Sequence, residues 1–124
     1  MTVADIKSRF RVIHSYVQLH EFAKFRALIV GEQIRHVVDT RVSPSFSNRG
    51  FTRELVLEFL NQRACTYEWL REIINPFVGT SWDKGEICAR YQGYLATKTA
   101  ELEHIRALTT EGNVLLLGDH WSYT

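Results

Sequence analysis

Shifting a proton beside a carbonyl, or closing a ring by aldol or alkoxide attack, needs a base that works near neutral pH and a donor for the developing oxyanion. Two residues have the chemistry for those roles, Asp39 and His120. Asp39 follows Val37 and Val38, and burial among such neighbours would disfavour its charged form, which suits a general acid or base. The plainer alternative is a strand-end carboxylate paired with Arg35 or Arg41 in solvent. His120 shares alternate positions with Val114, Leu116 and Gly118, so on a strand it would project with an apolar set while staying titratable. A hydrogen-bonded structural histidine is the competing reading.

Other polar and aromatic residues could wall a pocket around such a pair. His14 and Tyr16 fall with His20 and Phe22 on one face of an extended run, where they could line a pocket or an interface. Trp82, Tyr91 and Trp121 are the aromatic wall candidates, with Tyr67 and Tyr94 beside them, although aromatic residues at helical spacing also serve as plain core. No compact His, Cys, Asp and Glu cluster has metal-ligand spacing, and no GxGxxG, P-loop, GxSxG or HExxH motif occurs, so neither a metal nor another cofactor is expected. Cys65 and Cys88 read as small buried hydrophobes inside helices, in keeping with a reducing cytoplasm.

The elements that would position these residues follow from periodicity. From Ile13 to Ile29 the odd positions are mostly apolar and the even ones mostly not, which is strand alternation. Ile34 to Val42 is rich in β-branched residues, and the two runs across Val30-Gly31-Glu32-Gln33 predict an antiparallel hairpin. A helix over residues 10–30, with Phe10, Ile13, Val17 and Leu28 on one face, competes with it, and would give an all-helical N-terminal half suited to protein contacts. Turn formers crowd residues 43–50. Thr52 can cap a helix carrying Leu55, Val56, Phe59 and Leu60, with Phe51 stapled to Val56; a second helical piece spans Tyr67 to Ile74 and stops at Asn75-Pro76. Asp83 and Glu86 have capping-box spacing ahead of Ile87, Tyr91 and Leu95. Leu102 to Leu108 and Val114 to Tyr123 read as two strands joined by a turn.

The expected fold is therefore a single α+β domain over residues 1–124, a curved antiparallel sheet with about three helices on it, in the order hairpin, helices, hairpin. The chain has 45% apolar and 23% charged residues, ordinary for a globular domain. Fifteen basic against fourteen acidic residues leave no charge footprint for nucleic acid or an anionic membrane. No apolar run approaches a membrane span or a signal-peptide core, which suggests a cytoplasmic protein.

This order and the stretch from Phe25 to Asp39 resemble the nuclear transport factor 2-like superfamily, in particular its SnoaL-like polyketide cyclases and limonene epoxide hydrolases, in rotated order. The stretch is similar to the closing strands of those families, with Asp39 on their acid, and residues 51–124 are similar to their beginning, so the chain reads as a circular permutant joined near 43–51. Gly118 and His120 stand where the epoxide hydrolases carry an arginine and aspartate pair, which disfavours epoxide hydrolysis. The resemblance implies a cone-shaped, cystatin-like fold, a homodimer and a cofactor-independent isomerase or cyclase. Asp39 and His120 would be catalytic, with Tyr16, His14, Trp82, Tyr91 and Trp121 around a small apolar oxygenated substrate such as a polyketide. The alternative on the same fold is a non-catalytic ligand-binding or dimerisation module.

Overall fold

The computed structural model describes residues 10–16, 22–41, 46, 52–77 and 80–118. Its strands are β1 (Val12–Tyr16), β2 (Ile34–Asp39), β3 (Thr66–Trp69) and β4 (Asn113–Gly118). Its helices are α1 (Phe22–Gly31), α2 (Arg53–Gln62), α3 (Lys84–Leu95) and α4 (Thr99–Leu108), with a 3-10 turn at Arg71–Ile73. The strands form one sheet in the order β1-β4-β2-β3, and every pairing is parallel. This is α/β architecture, not the expected curved antiparallel α+β sheet, and neither expected hairpin is found among the described residues.

Helices that return the chain for parallel pairing cover both faces of such a sheet, so its inner strands are apolar on both sides. β4 is the clearest case: Val114, Leu115, Leu116 and Leu117 are all buried. Leu115 and Leu117 pack with Val37 of β2, Phe25 and Ile29 of α1, and Val56 and Leu60 of α2 on one face. Val114 and Leu116 pack with Val38, Ile73 and Ile105 on the other, beneath α4. Each face thus has its own helical cover, α1 and α2 on the first and α4 on the second.

Three sequence readings gave way, each for a physical reason. The run Ile13 to Ile29 divides into β1 and α1, because Phe25 and Ile29, four residues apart, satisfy both a period of two and a helical turn. A strand through both would also be far longer than the roughly 4–8 residues typical of strands. Residues 99–108 are a helix with Ile105 buried and Leu102 exposed; its N-cap Lys98 makes no side-chain capping bond, so the start signal that marks α2 and α3 is missing. Between Tyr67 and Ile74 lie the end of edge strand β3 and the 3-10 turn. The turn cluster at 43–50 and the Phe51 staple lie outside the described residues except for Phe46, which is buried.

Both expected N-caps form. The Thr52 hydroxyl accepts from the Leu55 amide, and the Asp83 carboxylate accepts from the Glu86 amide at 2.9 Å. α2 closes in a full Schellman motif: the Cys65 amide donates to the Leu60 carbonyl and the Ala64 amide to that of Asn61. Ala64 carries the required left-handed backbone, φ 54°, without being glycine. Ala64→Gly is therefore expected to stabilise the protein by about 0.5–1 kcal/mol, read as a higher urea midpoint at unchanged slope. Gly112, before β4, is fixed for a different reason, since a Cβ there would stand 2.5 Å from that of Arg35.

Candidate functional site

In an open parallel sheet, ligands bind beyond the carboxyl ends of the strands where neighbouring connections leave toward opposite faces. That place lies between β2 and β3. The chain leaves β2 toward α2 on the first face, and leaves β3 toward the helices that lead to α4 on the second.

At this divergence β2 ends in Asp39, followed by Thr40 and Arg41, and all three are buried. The Arg41 guanidinium grips Asp39 with both arms, Nε to Oδ1 at 2.9 Å and Nη2 to Oδ2 at 2.7 Å. The Arg41 amide donates to Oδ1 as well, and the Tyr67 hydroxyl to Oδ2 at 2.6 Å. Asp39 thus accepts four hydrogen bonds, about the full capacity of a carboxylate. The arrangement makes it the anchor of Arg41, with its lone pairs committed. Of the two sequence readings, pairing with Arg41 is the geometry found, in the interior rather than at the surface.

The network is braced from β3. Burial, and then the carboxylate it donates to, push the Tyr67 hydroxyl well above the ordinary tyrosine pKa, so it stays a donor. The Trp69 indole donates to the Arg41 carbonyl at 2.9 Å. The Thr40 hydroxyl and amide both donate to the Leu117 carbonyl, tying the crevice floor to β4. Around this neutralised pair stand two more arginines. Arg53, in the first turn of α2, lies 5.6 Å over the Tyr67 ring, and Arg71 lies 5.0 Å over that of Trp69. Among the described residues neither has a carboxylate partner. The crevice therefore carries one buried neutral pair and two uncompensated positive charges held against aromatic faces.

The other expected site residues are dispersed. His14 stands on β1 with β4 between it and β2, and partial desolvation lowers its pKa. Tyr16 ends β1 opposite Gly118. Trp82 lies ahead of α3 with the Arg90 guanidinium 3.8 Å over its ring. Tyr91 is core, its hydroxyl donating to the Ile73 carbonyl. His120 and Trp121 lie outside the described residues. Cys65 is buried and Cys88 half-buried; Cys65 precedes β3 instead of lying in a helix, and burial pushes its thiol up to about 11. Among the described residues no three His, Cys, Asp or Glu side chains are grouped to hold a metal, and no helix is long and apolar enough to cross a membrane.

Sequence reasoning passed over Arg53, Trp69 and Arg71 and gave Tyr67 only as a wall candidate. Their signal was the sudden change from Val37-Val38 to Asp39-Thr40-Arg41, as expected where a buried parallel strand reaches the carboxyl edge.

Comparison with known families gives one match. Residues 18–120 match the family described as a domain of unknown function, DUF488. The resemblance to the nuclear transport factor 2-like superfamily is thereby overturned, and with it the SnoaL-like, cystatin-like and permuted readings. No curated protein and no solved structure matches.

Proposed function

We propose that this chain, which belongs to the DUF488 family, binds a small anion of the phosphate or carboxylate class at the carboxyl edge of its parallel sheet. The observation that carries the reading is the pair of arginines, Arg53 and Arg71, flanking Asp39 and Arg41 without carboxylates of their own among the described residues. Arginine is suited to this work, because its planar fork matches an oxyanion and stacking on an aromatic ring preorganises it. Asp39 contributes by fixing Arg41, and through it the end of β2. The role proposed for this network is recognition of charge, not proton transfer.

Calorimetric titration with inorganic phosphate and with phenyl phosphate tests the proposal. Arg53→Ala and Arg71→Ala are each expected to weaken binding about tenfold, and raised salt to weaken it further. Arg63→Ala, beyond the opposite end of α2, should leave affinity unchanged. Failure of the unaltered protein to bind either anion, or equal binding by the Arg53/Arg71 double variant, would sink the reading.

A further inference from the structure

The outward side of the α1 and α2 layer carries opposite charges on its two helices, Lys24 and Arg26 exposed on α1 and Glu54 and Glu58 exposed on α2. α1 buries Phe25 and Ile29 inward, and beside its two exposed cations its outward side carries Ala23, Ala27 and Val30, the last 47% exposed. Between it and α2 runs an open groove of about 250 Å³ lined by Phe22, Arg26, Leu55, Glu58, Phe59 and Gln62. Leu55 stands exposed on its rim. Phe22 and Phe59 meet edge to face, and the Arg26 guanidinium lies over both rings, at 5.7 and 5.5 Å.

Two opposite charges thus share the groove, Arg26 on the α1 wall and Glu58 on the α2 wall, and neither has an ion-pair partner among the described residues. We infer that this face is the interface of a homodimer, with a second copy of the chain laid on it about a twofold axis running along the groove. Such an axis sets α1 of each copy against α2 of the other. Arg26 then faces Glu58 of the second copy, twice over, while Leu55 and Val30 lose their contact with water. Self-complementarity of this kind is what an isologous contact requires. A partner of uniform charge would satisfy one wall and repel the other, so the mixed groove selects a second copy.

Light scattering behind size exclusion, run on the full chain across a dilution series, reads the outcome. The unaltered chain is expected to be a dimer, and Leu55→Asp to raise its dissociation constant by roughly a hundredfold or more. Arg26→Glu and Glu58→Arg should each weaken it about tenfold, and combining them should restore it by exchanging the charges across the axis. Circular dichroism checks that each variant folds; any that does not is replaced by Val30→Lys, whose side chain is already exposed. A monomer at every concentration, a dimer unaffected by Leu55→Asp or its replacement, or two weakened single variants with no rescue in the double overturns the inference. Neither result depends on anion binding at the carboxyl edge.

Discussion

Asp39→Asn is expected to cost about 3–5 kcal/mol of folding stability, measured by urea unfolding at neutral pH. The substitution is nearly isosteric, so the loss comes from charge. The Arg41 side chain is only 5% exposed and stacks 4.6 Å over Phe46, where it cannot recover its hydration. An asparagine offers one acceptor oxygen where the carboxylate serves four donors, and its own amide hydrogens would face the guanidinium. Adding Arg41→Met removes the stranded cation and should return much of the lost stability, since replacing both members of a buried pair is far milder than removing one. A loss below about 1 kcal/mol for Asp39→Asn would place the pair among solvent-screened surface contacts and refute the buried anchor.

Leu115→Ala should cost about 2–5 kcal/mol. Leu115 is fully buried at the middle of β4, with Ile13 of β1 and Val37 of β2 as register partners and α1 and α2 above it. Truncation leaves a void bounded by a hydrogen-bonded sheet, which has little freedom to collapse. The control is Leu102→Ala on the exposed side of α4, expected within about 0.5 kcal/mol of the unaltered protein. A hairpin of residues 102–108 with 114–123 would make both leucines strand residues; a comparable loss at both sites would favour that pairing over the parallel sheet.

Local chemistry was legible in the sequence where a side chain writes its own signal. The Thr52 and Asp83 caps announce α2 and α3, and the break at Asn75-Pro76 falls just past the 3-10 turn. Strand β2 was visible in its β-branched run. What stayed hidden was the direction of strand pairing, because that depends on whether the intervening segment is a turn or a helix. Val30-Gly31-Glu32-Gln33 looks like a hairpin turn, but it is the end of α1 and the way into β2, with Gln33 in the left-handed region at φ 52°. With α1 read as a strand, no parallel sheet follows. The site depends on the same pairing: Asp39 stands out by its neighbours, but its commitment to Arg41 and Tyr67 requires β3 beside β2, and the pattern of Tyr67 to Trp69 reads as helix.

The position of β4 governs how this protein can assemble in time. β1 has no hydrogen-bonded partner among the described residues except β4, and β4 is also what joins it to β2. On a ribosome, residues 12–16 emerge early and then wait for residues 113–118, about a hundred positions later, before their ladder can form. Until then β2 and β3, with α2 between them, are the only described strands able to pair, and both the inner edge of β2 and all of β1 are open to other chains. Formation of the sheet's centre is therefore the late, non-local step, the kind that slows folding and lengthens exposure to aggregation.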